Sequence, residues 1–389
     1  MRLVVCCDAF LPADQEGGPP FSTFNLCAAL SEAGDDVRVI TTDRNGSGQL
    51  DVPTDQWTRY DGLPVWYAHS LGRPFYPAAS ARHALRSTEG IDCLFASGTL
   101  WTHLGLLAWR ESRRHGIPSI ICPRGLLDQW ALAHKPTRKR LYWALVARRM
   151  VKQAAAVVAL SEHERETVRS KAVAQRIEVI PNSIRIEDFD HPPPRVELDQ
   201  WFPQLRDQRF VLFLGRIHEK KGLPALFGAL SRPELIDRQF LIVIAGPIDA
   251  GYRARFDQLV QSCPSRTRLV FPGSVSGPQK AALLAHATAF VLPSLSEGQP
   301  VAVLEALASA CPTILTPGCY MPEVARAGAG IEVESDPAAV AAAIARLLSD
   351  DVFRRNMGQR GRELAREQFD WRAVGRRMHA LCCDVAATR

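Results

Sequence analysis

Short apolar runs alternate with longer stretches of helical periodicity along the chain, the pattern of parallel sheets wrapped by crossover helices. In the first half, Leu3–Cys7, Val37–Thr42, Val65–Ala68, Ile91–Ala96, Ser119–Cys122, Ala156–Leu160 and Ile177–Ile180 read as strands. A second set begins at Phe210–Leu214 and continues with Phe240–Ala245, Leu269–Phe271, Ala289–Leu292, Thr313–Leu315 and Gly330–Val333. Between the sets, Glu187 to Arg209 carries Pro192-Pro193-Pro194 and few apolar periodicities, which reads as a linker. Ser161-x-x-Glu164 has the form of a capping box, and Asp336-Pro337 that of an N-cap followed by proline at the first helical position. The chain is therefore expected to be α/β, with Rossmann-like domains at 1–185 and 209–369 and a linker at 186–208. A helix at about 370–389 is expected to pack back on the first domain. Open sheets of this kind bind ligands at their strand C-termini, so the site is expected in a cleft that the two domains face.

Two strand ends carry the chemistry. After Ala289–Leu292 comes Pro293-Ser294-Leu295-Ser296-Glu297-Gly298-Gln299-Pro300-Val301, then a helix bearing Glu305. This reading places both carboxylates on one helix, with Glu305 two turns in. The helix start at Gly298, Gln299, Pro300 and Val301 would offer backbone N–H groups and a positive dipole end to a phosphate, flanked by acids that bind hydroxyls. After Phe210–Leu214 comes Gly215-Arg216-Ile217-His218-Glu219-Lys220-Lys221-Gly222. Arg216 can fork onto phosphate oxygens and Lys221 adds a point charge, which suits a departing nucleoside diphosphate. In the first half, Gly17-Gly18 follows the first strand and lets backbone approach a ligand closely. Arg124 lies just past another strand end, and His103 opens a helical stretch, either as an acceptor-side group or in a structural role.

Gly-Arg-x4-Lys-Gly, followed about eighty residues later by Glu-x7-Glu, resembles the C-terminal half of retaining glycosyltransferases of family 4, with the GT-B fold. Leu160-Ser161-Glu162, Val179-Ile180-Pro181-Asn182-Ser183 and Gly318-Cys319-Tyr320-Met321-Pro322-Glu323 are similar to that family too. The stretch from Pro123-Arg124-Gly125 to Leu132 resembles a bacterial subset that builds exopolysaccharide or O-antigen. Many members carry a histidine near the position where Arg124 stands, so no histidine role transfers. The resemblance implies retention at the anomeric carbon without a metal or cofactor, from a nucleotide-sugar donor; front-face attack is the favoured route, with double displacement through a carboxylate nucleophile as the alternative, for which the sequence singles out no acid in the first half. Glu297 would bind the hexose, Glu305 the ribose, and Arg216 and Lys221 the diphosphate. The acceptor implied is a glycan or a polyprenyl-diphosphate-linked sugar, with no nucleic acid as partner.

Composition narrows the setting. A length of 389 residues gives room for two domains, and ten cysteines without CxxC spacing read as free thiols in a reducing compartment. No run approaches the roughly 18 apolar residues of a membrane span, so a cytoplasmic protein is expected, at most resting on a membrane. Lys135 to Lys152 contains no acid, and Trp143, Val146, Ala147 and Met150 share one helical face. That face serves either core packing or an anionic membrane surface, and the net charge of +6 fits an anionic donor or a membrane equally. Asp188-Phe189-Asp190 imitates a metal-binding motif but falls in the expected linker and reads as a solvated turn. GxGxxG directly after a strand and GxxxxGK[ST] are both missing, which excludes a nicotinamide dehydrogenase and a P-loop kinase. A sugar-nucleotide epimerase of the same architecture and a degenerate nucleotide-binding subunit stand as alternatives.

Overall fold

Residues 1–70, 78–133, 136–172 and 174–387 are described by the structure, a computed structural model. Lys135 falls outside them. The chain forms two units, one of Met1–Ser183 with the segment from Trp371 onward, the other of Ile184–Asp370.

Ten strands belong to the first unit: β1 (Arg2–Cys7), β2 (Asp36–Thr42), β3 (Arg44–Asn45), β4 (Gly48–Gln49), β5 (Trp57–Tyr60), β6 (Leu63–Ala68), β7 (Cys93–Ser97), β8 (Ser119–Cys122), β9 (Ala156–Ala159) and β10 (Ile177–Val179). Eight of them make one sheet in the order β10-β9-β8-β7-β1-β2-β6-β5. All its pairs are parallel except β5 with β6. A parallel sheet covered on both faces needs strands that are apolar on both sides, which is why they read as continuous runs. Thus Leu3, Val5 and Cys7 enter the core on one face while Val4 and Cys6 enter the other. The antiparallel edge strand β5 went unseen in the sequence because half its residues are polar. Its signal was the two-residue turn Asp61-Gly62, both with positive φ (46° and 82°), which suits a tight hairpin. The small β3-β4 hairpin turns at Gly46-Ser47, where only Gly46 has positive φ (62°).

The second unit holds β11 (Phe210–Leu214), β12 (Leu241–Ala245), β13 (Leu269–Gly273), β14 (Ala289–Leu292), β15 (Thr313–Leu315) and β16 (Gly330–Glu332), all parallel, in the order β13-β12-β11-β14-β15-β16. The order reverses between β11 and β14, so the crevice for a ligand opens at their C-terminal ends.

Two sequence expectations are corrected here. The stretch 186–208 is not a free linker: it carries the helix Arg195–Trp201 and belongs to the second unit. Leu198 and Leu205 are fully buried and Phe202 nearly so, a helical i, i+4, i+7 spacing that the proline run had masked. Asp188-Phe189-Asp190 is not a freely solvated turn either, since Phe189 enters that core and Asp190 pairs with Arg362.

Helical density continues from Pro136–Tyr142 through Trp143–Ala147 to Arg148–Gln153. The face proposed from sequence is core: Ala147 and Met150 are buried, and Trp143 and Val146 pack against them. The opposite face exposes Leu141 and Leu145, at 63% and 57%. All ten cysteines are free, Cys383 being exposed and the others buried. No described helix is long and apolar enough to cross a membrane.

The last helix, Trp371–Ala387, lies against Gly18–Glu32 and gives Val374, Met378, Leu381, Cys382 and Val385 to the first unit's core. The crossing is close because Gly375 has no side chain: a Cβ there would stand 2.4 Å from that of Ala29. Alanine for glycine inside a helix ordinarily stabilises by about 0.5–1 kcal/mol. Here the sign is expected to reverse, with Gly375→Ala costing roughly 1–3 kcal/mol through overpacking. Chemical denaturation checks this, and the double variant Ala29→Gly, Gly375→Ala should recover most of the loss.

Candidate active site

The crevice at the β11 and β14 ends is built from two loops that lock together. Leaving β11, the chain runs through Gly215 and Arg216 to His218, whose ring caps a short turn, Glu219–Lys221, by accepting from the Lys220 N–H. The turn ends at Gly222 with φ +66°, and any Cβ there would lie 1.9 Å from the Pro293 carbonyl oxygen on the other loop. Only glycine permits that approach. In return the Leu295 N–H donates to the Lys220 carbonyl at 2.8 Å, and the Glu297 N–H to that of Gly318 at 2.8 Å.

This lock brings Lys221 and Glu297 together. Lys221 Nζ stands 2.6 Å from Glu297 Oε1 and Lys220 Nζ 3.6 Å from Oε2, while Ser294 Oγ donates to Oε1 at 2.7 Å. Burial pushes the Glu297 carboxyl up, but Lys221, Lys220 and the hydrogen bonds from Lys221 and Ser294 outweigh it and hold the group below its ordinary range. The ammonium of Lys221 also lies over Gly215, 3.7 Å from where a Cβ would be. Arg216 is half-buried on the same loop.

The two acids do not share a helix. The helix is Val301–Ala308, so Glu297 precedes it in the loop and Glu305 is one turn in rather than two. Pro300 occupies the N-cap and cannot accept from the first N–H groups through a side chain. Gln299, Pro300 and Val301 are buried there, and Gly298 half-buried. Glu305 is buried too, and its Oε1 accepts from Lys280 Nζ at 2.5 Å. The sequence reading missed Lys280 because it comes from another helix, Gly277–His286, with no local pattern linking it to Glu305. A groove of about 710 Å³ opens past the ends of β11, β12 and β13, walled by Ile217, Ile248, Phe256 and Phe271 together with Arg253 and Asp257. Its signal was Gly246-Pro247 and Gly273, small or rigid residues directly after strands.

In the first unit, Gly17 sits at φ +80° as N-cap of Gly18–Glu32, where a Cβ would stand 4.0 Å from Pro19 Cδ. Arg124, expected to face an acceptor, has its guanidinium committed inward. Nε donates to Ser97 Oγ at 2.6 Å, Nη1 to Ser22 Oγ and Asn182 Oδ1 at 2.9 Å, and Nη2 to Thr23 Oγ1 at 3.0 Å. It ties together the exits of β7, β8 and β10 and the second turn of Gly18–Glu32, a structural clamp. His103 is exposed as the first residue of His103–His115, which Thr102 caps.

Comparison with known proteins gives the family. A profile for the glycosyl transferase 4-like domain matches residues 17–183, and one for glycosyl transferases group 1 matches 197–364. Together they cover most of the chain, which belongs to family 4 of the GT-B glycosyltransferases and is an enzyme that transfers sugar from a nucleotide-sugar. The phosphatidyl-myo-inositol mannosyltransferase of Mycobacterium leprae is 24% identical over 385 residues, 96% of this chain and 95% of that one. The GDP-mannose:cellobiosyl-diphosphopolyprenol alpha-mannosyltransferase of Xanthomonas campestris is 25% identical over 290 residues, 74% and 71% of the two chains. Among solved structures, sucrose-phosphate synthase of Thermosynechococcus elongatus superposes with a TM-score of 0.82 at 20% identity, covering 100% of both chains.

The Glu297 charge is a stability statement as well as a site feature. Its folded pKa lies below its ordinary value of 4.5, so the stabilisation from the lysine pair is present above that value and is lost as pH falls through the folded pKa. Glu297→Gln should therefore be less stable than wild type near neutral pH, with the gap closing in acid. Urea unfolding across that range measures it.

Proposed function

We propose that the enzyme transfers a hexose with retention, and without a metal ion, to a hydroxyl of a lipid-linked glycan in the synthesis of a bacterial surface polysaccharide. The observation that carries this reading is the cationic loop at the β11-β14 switch point, where Lys221 stands over Gly215 and against Glu297, the acid of the loop that leads into Val301–Ala308, with Arg216 half-buried on the same loop as Lys221. A diphosphate gains charge as its bond to the sugar breaks, and fixed cations with backbone N–H groups stabilise that charge most where it grows. The acceptor oxygen bonds to the anomeric carbon from the face the diphosphate leaves. The bond to phosphate breaks with its electron pair on the leaving oxygen, which takes the acceptor's proton.

Glu297, charged and held by Lys221, orients the hexose hydroxyls. Glu305 takes the ribose hydroxyls, with Lys280 fixing its carboxylate, and the groove by Ile217 and Ile248 receives the base. The epimerase and the binding subunit have no specific observation in their favour.

The lipid part of the reading rests on a surface of the first unit. Leu141 and Leu145 project from a helix rich in arginine, and Trp130 is exposed on the preceding helix, Gln129–Ala133. Exposed leucines ringed by cations suit an anionic bilayer, and the names of both mannosyltransferase relatives specify lipid-borne acceptors.

Arg216→Ala and Lys221→Ala are each expected to lower turnover about a hundredfold or more, and wild-type transfer is expected to persist in excess EDTA. Assay against a panel of UDP- and GDP-hexoses tests both, and activity abolished by EDTA and restored by magnesium would refute the metal-free reading. Leu141→Asp, Leu145→Asp is expected to cut sedimentation with phosphatidylglycerol vesicles by about tenfold or more while nucleoside diphosphate affinity holds. Unchanged sedimentation would sink the membrane face.

A further inference from the structure

The last helix carries a row of three reactive groups that sugar transfer does not use. His379 and Cys383 lie four residues apart on Trp371–Ala387 and so share one face of it. His379 Nδ1 stands 2.7 Å from Asp35 Oδ2, and Cys383 Sγ stands 3.4 Å from His379 Nε2. Asp35 belongs to the turn between Gly18–Glu32 and β2, and its side chain is 1% exposed. Its other oxygen takes the Met1 ammonium at 3.1 Å, so the buried carboxylate has a counter-charge and a donor on each oxygen. Carboxylate, imidazole and thiol thus form one hydrogen-bonded row. It ends at a sulfur on the surface: Cys383 is exposed, whereas the other nine cysteines are buried.

The row fixes where its protons sit. A charged carboxylate only accepts, so the neutral ring carries its hydrogen on Nδ1 and its lone pair on Nε2, toward the thiol. Burial pushes the Cys383 thiol up, as do Asp35, Cys382 and Asp384, against the Met1 ammonium. The resting group is therefore S–H donating to Nε2, with no standing thiolate. Asp384, the neighbouring acid, is itself paired with Arg176 at 3.4 Å. A weak nucleophile, a base within reach of its proton and a third group that orients the base are the parts by which folded proteins activate a side chain for attack. Activation here comes with proton removal during the attack, and the sulfur is open to the reagent that it attacks.

We propose that Cys383 is a modification site, a base-assisted thiol that exchanges with low-molecular-weight disulfides. The thiol proton passes to His379 Nε2 as the sulfur bonds to one sulfur of the disulfide. The disulfide bond breaks with its electron pair on the other sulfur, which takes the proton from the imidazolium and leaves as a thiol. The product is a mixed disulfide on the helix that closes the first unit. The test reacts the full chain with dithiodipyridine, a neutral disulfide, from mildly acidic to mildly alkaline pH. N-acetylcysteine serves as the free-thiol reference, and Cys383→Ser assigns the reacting sulfur. An ordinary thiol is thiolate to only a few per cent near neutral pH, so proton removal during attack is worth about tenfold there. Wild type should react about tenfold faster than the reference at neutral pH, and His379→Gln should lose that margin. The wild-type rate should also hold level across neutral pH while that of His379→Gln climbs with its thiolate fraction, a difference that a merely structural histidine would not produce. A wild-type rate at or below the reference, a wild-type profile as steep as that of His379→Gln, or a fast reaction that survives Cys383→Ser overturns the proposal. The comparison of wild type with the reference decides it even where His379→Gln fails to fold.

Discussion

The Glu297 carboxylate is buried where two ammonium groups are brought to it. Glu297 is enclosed between loops from different strands, and removing its counter-charges would leave an ion that the interior cannot solvate. That requirement fixes the loops' relative position: Gly222 must pass against Pro293, the Lys220 carbonyl must meet Leu295, and Lys221 must lie back across Gly215. The position of Lys221 over Gly215 and the loop that leads into Val301–Ala308 are consequences of the same lock. Charges held in place beforehand need no reorganisation when a substrate's charge develops, which is the advantage of spending a buried ion pair here.

The first unit solves the same problem with the opposite sign. Arg124, at φ +54°, is fixed by hydroxyls and an amide from three separate segments rather than by a carboxylate. Glu164 completes the arrangement by accepting from the N–H groups of Gly125 and Leu160, so the loop after β8 is anchored at consecutive residues. Both sheets thus gather their strand exits around one charged side chain, and in both the glycine turns are where backbone must come closest.

Legibility in the sequence followed burial. Strands covered on both faces, such as Phe210–Leu214, are uniformly apolar and were readable at once. Trp57–Tyr60 is an edge strand with mixed residues and was not, although its Asp61-Gly62 turn was in plain view. Leu198, Phe202 and Leu205 were hidden by a proline run that suggested a linker. At the site, the residues of each loop could be picked out by type and position, but pairing could not: that Lys221 meets Glu297 and Lys280 meets Glu305 depends on which strands are neighbours. Arg124 shows the converse, since a cation at a strand end looks the same in sequence whether it points outward to a ligand or inward to a clamp.

The return of Trp371–Ala387 to the first unit makes the second unit an insertion within the first. The apolar side of Gly18–Glu32 is therefore synthesised long before the helix that covers it, with all of Ile184–Asp370 made in between. During that interval Cys27, Leu30 and their neighbours face solvent or a chaperone, because the second unit can reach its own core without them while the first cannot close. Maturation of the two units is thereby ordered by chain connectivity: the second unit can complete its own core while the first still waits for the helix Trp371–Ala387.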